Sequence, residues 1–227
     1  TGERFLGAVV GPYANRIAKG HFTLDGAEYT LPVNNNGQTL HGGLLGVDRV
    51  VWDVVSASDD KLVLHYLHPD GQDGFPGNLD IEMTYSLTPD NEFRIDYKAT
   101  TDKPTVVNMS NHPFFNLKGE GNGTVLDNVM TINASHTTPV DSVLIPTGQI
   151  APVEGTPFDF REPHAIGERI GAGNRIGKYG KPQRYRESLA LETQKFPDSP
   201  NHDNFPSTVL RPGETYTQVC IYKFGVK

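Results

Sequence analysis

Glycine and proline break this chain every few residues, and that punctuation leaves few windows long enough for a helix. The 227 residues include 24 Gly and 17 Pro, both of which destabilise a helix interior while suiting turns and strand ends. Strand signals fill the intervals. Val50 to Ala57 (VVWDVVSA), Leu62 to Tyr66 (LVLHY), Leu79 to Leu87 (LDIEMTYSL) and Phe93 to Ala99 (FRIDYKA) are short, rich in β-branched or aromatic residues, and partly alternating. Their separators, Asp59-Asp60, Pro69-Asp70-Gly71 and Pro89-Asp90-Asn91, carry turn chemistry. Phe22 to Leu31 predicts a hairpin around Asp25-Gly26, because both turn residues accept the left-handed backbone that a two-residue turn needs. Such a succession points to antiparallel sheets packed face to face. The stretch from Ile166 to Arg186 departs from this pattern, with Gly, Lys and Arg crowded together without period. It reads as a long loop or as a place where sequence is missing, and Arg161 to Ile170 is predicted to hold one or two helical turns.

The length suits one large or two small domains and allows a substantial core. A net charge of −7 with scattered basic residues argues against a nucleic-acid surface, which needs a clustered positive field. The nearest basic cluster, Arg175 to Arg186, reads as a solvated loop. Cys220 is the sole cysteine, so no intrachain disulfide or thiolate cluster forms, and its strand-like setting predicts a small buried hydrophobe. No apolar run is long enough to cross a bilayer. Thr1-Gly-Glu-Arg-Phe5 carries neither an initiator Met nor a signal-peptide core and reads as the middle of a longer protein. The compartment is therefore weakly constrained, with the cytoplasm slightly preferred to the periplasm. Zinc, EF-hand, dinucleotide, phosphate-loop and nucleophile-elbow signatures are absent. His65 and His68 straddle a strand end, which makes a poor metal pair, and Gly171-Ala-Gly173 follows no strand.

Four constellations embed polar side chains among residues that read as buried: Tyr13-Ala-Asn-Arg16-Ile, Leu40-His41-Gly-Gly43, Asn108-Met-Ser-Asn111-His112-Pro-Phe-Phe-Asn116 and Leu191-Glu192-Thr193-Gln194. A buried polar group must be paired or used, since leaving it unsatisfied costs about 1–3 kcal/mol. Any one alone reads first as an ion pair or capped turn. His41 before two glycines is a turn histidine or a group at the rim of a ligand that backbone approaches closely. Asn108, Asn111 and the following aromatics offer His112 a setting that fixes a tautomer and excludes water. Glu192 follows a predicted strand, Ser188 to Leu191, and an apolar flank raises a carboxyl's pKa toward that of a general base.

In this order, the constellations resemble the aldose 1-epimerase (galactose mutarotase) family. The match extends through Gly7-Ala-Val-Val-Gly11, Pro139-Val-Asp141, Leu144-Ile-Pro-Thr-Gly148, Gly155-Thr-Pro-Phe-Asp159, Phe196-Pro-Asp198 and Arg211-Pro-Gly-Glu-Thr-Tyr216, nearly the whole chain. The resemblance implies a large, mostly antiparallel β-sandwich with a sugar cleft on one sheet face, and no organic cofactor; the residues themselves carry no metal-binding signature. It implies Glu192 as general base, His112 as general acid, Arg16 and His41 as sugar contacts, and Asn15 as a residue orienting Arg16. The partner implied is a monosaccharide, free galactose or glucose, and the protein is expected as a monomer or homodimer. Pro12 stands where many relatives carry Arg. Between Gly167 and Leu189 relatives carry a much longer stretch containing a sugar-binding Asp, so an interior segment is expected to be missing near 176–178, together with an N-terminal stretch. Residues 1–227 are read as one domain of this kind. Two other readings stay open here: a non-catalytic sugar-binding module of the same fold, and an epimerase acting on a hexose phosphate.

Overall fold

A computed structural model describes residues 4–119, 121–170 and 186–226. The glycine pair at 171 and 173, the expected join at 176–178 and the basic cluster up to residue 185 lie outside the described residues. Strands β1 (Ala8–Val10), β2 (Arg16–Ile17), β3 (His21–Leu24), β4 (Ala27–Thr30) and β5 (Thr39–Leu40) open the chain. β3 and β4 form the predicted hairpin, with Asp25 and Gly26 at φ of 51° and 79°, the mirror-image turn whose twist matches that of its strands. β2 pairs with β5, setting Arg16 opposite Leu40.

Four long strands follow as a meander: β6 (Asp53–Ala57), β7 (Lys61–His68), β8 (Leu79–Leu87) and β9 (Glu92–Thr101). Short strands come next: β10 (Thr105–Val106), β11 (Ser110–His112), β12 (Phe114–Phe115), β13 (Val129–Met130), β14 (His136–Thr137), β15 (Ala151–Pro152), β16 (His164–Ala165), β17 (Leu189–Ala190) and β18 (Val209–Leu210). The last strand, β19 (Tyr216–Lys223), pairs with β9 from Tyr216↔Ala99 to Lys223↔Glu92. It completes a five-stranded antiparallel sheet in the order β19-β9-β8-β7-β6. The architecture is nearly all β, as the punctuation predicts. Among the described residues the only helical elements are short 3-10 turns, and no helix is long and apolar enough to cross a membrane. The helical turns predicted over Arg161 to Ile170 do not form. Pro163 lacks the N–H a helix would use, and His164–Ala165 pair instead with Met130 and Val129.

Alternation places Leu79, Ile81 and Met83 of β8, Ile95, Tyr97 and Ala99 of β9, and Tyr216 and Cys220 of β19 in one buried cluster with Val9, Val107 and Met109. Each large apolar side chain there contributes about 1.5–3 kcal/mol. Cys220 is buried within it, as expected. A second cluster gathers Tyr13, Ile17, Phe22, Leu31, Phe75 and Val106. Val9 of β1 belongs to the first cluster and Ile17 of β2 to the second, and these two strands hold β11 and β5 by pairing.

Candidate active site

β11 ends at His112 because Pro113 has no N–H to continue a ladder. The strand is held by β1, with His112 opposite Ala8 and its carbonyl accepting from Gly7 N at 3.0 Å. The His112 ring lies 4.8 Å from that of Phe114, and its Nε2 is 3.3 Å from Glu192 Oε1. Phe5 roofs this corner, 6.3 Å from the His112 ring and 4.6 Å from the His41 ring.

His41, Gly42 and Gly43 have successive φ values of 50°, 83° and 97°, which curl the chain back on itself. Gly42 is required there. A Cβ on it would lie 1.8 Å from the carbonyl oxygen of Gly11, so only hydrogen lets the two loops meet. His41 and Asn15 then exchange two bonds: His41 N donates to Asn15 O, and Asn15 N donates to His41 Nδ1, each at 3.0 Å. A backbone N–H can only donate, so Nδ1 offers its lone pair and Nε2 carries the proton of the neutral ring. Burial pushes the His41 imidazole down to about 3, and nearby His112, Arg16 and Arg4 add to this. His41 is thus a neutral donor at any ordinary pH.

Arg16 is buried. Asn15 Oδ1 accepts from its backbone N at 3.0 Å and from Nη1 at 3.5 Å, while Nη2 donates to Asn35 Oδ1 at 3.0 Å. Asn15 thus touches both the backbone and the guanidinium of Arg16. Asp198 anchors the same stretch of backbone, donating its N–H to Arg16 O at 2.8 Å and accepting from Ala18 N at 2.9 Å.

Glu192 lies just past β17, which pairs with β12 through Ala190↔Phe114. Burial raises the Glu192 carboxyl above its ordinary range, against the opposing pull of His112 and Arg16. No backbone ladder holds residues 191–195 among the described residues; side chains do. Tyr222 Oη donates to Leu191 O at 2.9 Å, and Gln218 Nε2 donates to Thr193 O at 2.6 Å. Asn108 brackets Lys195, accepting from its N at 2.9 Å and donating to its O at 3.2 Å. Asn108 is thus used on the Glu192 segment rather than on the His112 imidazole, whose Nδ1 has no hydrogen-bond partner.

Glu192 Oε2, Arg16 Nε and Gln194 Oε1 are likewise buried without a protein partner. Leaving four such atoms unsatisfied would cost about 1–3 kcal/mol each, so this corner is suited to a ligand rich in hydroxyls. His41, His112 and Glu192 each offer one ligand atom within 4.8 Å of the others, close enough for a shared cation. The Asn15 bond, however, leaves a hydrogen rather than a lone pair on His41 Nε2, and that suits hydrogen bonding better than ligation.

The sequence profile of the aldose 1-epimerase family matches this chain over residues 1–179 and 177–223. The chain belongs to that family. Among curated relatives it is 38% identical to mouse galactose mutarotase, covering 99% of this chain and 80% of that protein. It is 36% identical to the aldose 1-epimerase of Escherichia coli K12, over 97% and 80%. The crystal structure of an aldose epimerase homologue from C. elegans superposes with a TM-score of 0.89 at 27% identity, covering 99% of this chain and 83% of that one. In this aldose 1-epimerase fold, all five residues singled out from sequence, Glu192, His112, His41, Arg16 and Asn15, converge on one corner. Sequence reasoning missed Phe5, Asn35, Gln218 and Tyr222. Of these only Gln218 left a trace, as a polar residue on the face of a strand that otherwise carries Tyr216, Cys220 and Tyr222.

Proposed function

We propose that this chain is an isomerase that interconverts the α and β anomers of a free hexose, galactose or glucose, with Glu192 as general base and His112 as general acid. The carrying observation is the Glu192–His112 pair at 3.3 Å, flanked by the fixed donor His41 and by Arg16. The curated relatives named galactose mutarotase and aldose 1-epimerase support the same reading.

The chemistry follows from what each atom offers. The anomeric hydroxyl and the ring oxygen share carbon 1. Glu192, ionised, removes the hydroxyl proton while the imidazolium of His112 protonates the ring oxygen, and the C1–O5 bond opens to the aldehyde. Rotation about C1–C2 presents the other carbonyl face. On reclosure His112 takes back the O5 proton and Glu192 returns one to O1, so the enzyme ends as it began. Each positioned transfer contributes about 10²–10⁴-fold. His41 and Arg16 donate to sugar oxygens and fix the ring between acid and base. A phosphorylated hexose is disfavoured, because Arg4 is engaged by Asp48 at 2.8 Å and Arg16 by Asn35 at 3.0 Å.

We further propose that 1–227 is one domain from which a family segment is missing near 176–178. The alignment to the mouse relative runs over 275 positions while covering 99% of the 227 residues here, so that relative carries residues this chain lacks. The two stretches matched by the family profile also meet at 177–179. Both support the reading.

Polarimetry on freshly dissolved α-galactose and α-glucose tests the function. Glu192→Gln keeps size and hydrogen-bonding reach but removes the base, so kcat should fall about 10²–10⁴-fold with sugar still bound. A Gln variant within threefold of the parent would remove Glu192 from the mechanism. A parent that leaves the trace at the uncatalysed rate would return the chain to a binding role.

A further inference from the structure

Gln218 lies on β19 with Tyr216, Cys220 and Tyr222, facing inward, while Thr217, Val219 and Ile221 face out. A glutamine on that face needs partners, and every one of its polar atoms has one. Nε2 donates to Met109 O at 2.8 Å and to Thr193 O at 2.6 Å. Oε1 accepts from Tyr216 Oη at 2.5 Å, and that hydroxyl accepts from Met109 N at 3.0 Å. Both carbonyls demand a donor and the hydroxyl proton demands an acceptor, so the amide has one orientation. Burial pushes the Tyr216 hydroxyl up to about 12, which keeps it a donor at working pH.

These contacts join the two segments on the opposite side of the acid and the base from the Ala190↔Phe114 pairing, which ties their other flanks. Met109 immediately precedes β11, which ends at His112, and Thr193 is the neighbour of Glu192. We propose that Gln218 is a positioning residue that sets the distance between the base Glu192 and the acid His112, by holding Met109 and Thr193 on the two hydrogens of a single amide nitrogen. The proposal rests on the acid–base reading above. Arg16 and His41 are held by Asn15, Asn35 and the backbone of the first strands and take no part in this bridge. Loss of the amide therefore misplaces the reacting pair and leaves the sugar contacts standing.

The test is steady-state polarimetry on the full chain carrying Gln218→Met, which preserves length and packing but offers no donor. A misplacement near 1 Å costs on the order of 10²-fold, so kcat should fall roughly 10–100-fold while KM moves less than about threefold. Val219→Thr and Ile221→Thr, on the outward face of the same strand, control for general disturbance of β19 and should leave both constants unchanged. If Gln218→Met fails to fold, Tyr216→Phe removes the bond that aims the amide while keeping the ring, and should show a smaller loss with the same split. A folded Gln218→Met with parental kcat, or with its loss confined to KM, overturns the proposal. That outcome alongside an inactive Glu192→Gln refutes the clamp and leaves the catalytic reading intact; an active Glu192→Gln refutes the reading itself.

Discussion

Asn108→Leu separates a side chain's work from that of its backbone. Asn108 is fully buried, and its backbone is held independently of its amide, by Asn108 N donating to Pro12 O at 2.9 Å and Ala14 N donating to Asn108 O at 2.5 Å. Leucine has the same branched skeleton with bulkier ends, so no cavity opens, and what disappears is the pair of bonds to Lys195 at 2.9 and 3.2 Å. At about 0.5–1.5 kcal/mol each, these amount to roughly 1–3 kcal/mol. A chain of this size loses about 2–4 °C of melting temperature per kcal/mol, which gives a fall of roughly 2–12 °C. Glu192, three residues from Lys195, should lose its setting too, with kcat down about tenfold or more. Thermal unfolding followed by circular dichroism, with polarimetry on the same samples, measures both. A variant that melts with the parent and turns over at the parental rate would show that the bracket carries no load. A change confined to the alkaline limb of the pH–rate profile would return Asn108 to the imidazole.

Two further outcomes follow from the electrostatics. Because burial holds the Glu192 carboxyl above its ordinary range, kcat/KM should be lost as pH falls through that raised value, placing the acidic limb above the ~4.3 of an unperturbed Glu; a limb at or below it refutes the assignment. His41, held near 3 by burial, is neutral wherever the enzyme works, so His41→Asn should raise KM several-fold and leave the shape of the pH profile unchanged, which a titration of kcat/KM checks.

The strands of the meander were legible because alternation and turn residues are local properties. β8 has the bounds read from its sequence, and β7 and β9 run slightly further because each must match the nine residues of β8. The proposed site residues stand out for a different reason: Glu192 and His112 are polar groups set in apolar text, and the family resemblance supplies their proposed roles. What escaped depends on chain segments meeting from far apart. Phe5 reaches His112 only because β1 pairs with β11, across more than a hundred residues. The sequence sets Asn108 with Asn111 and the aromatics as surroundings of His112, yet four residues of extended chain put Asn108 about 13 Å from it, too far for direct contact. Gln218 looks like one polar residue in a strand until Met109 and Thr193 are brought to either side of it. Pro163 opposes the helical turns expected around it, because it lacks the N–H such a turn would use.

The segment that carries Glu192 is secured by the side chains of Asn108, Gln218 and Tyr222 instead of by a ladder, and this bears on how the protein responds to heat. Parts of a fold held by a few separate contacts open at lower free energy than the cooperative sheet beneath them. The five-stranded sheet and its apolar cluster should outlast those contacts, so Glu192 should swing away from His112 while the sheet is still paired. On the acid–base reading proposed above, activity should therefore fade on warming before the sheet unfolds, and return on cooling with no refolding needed.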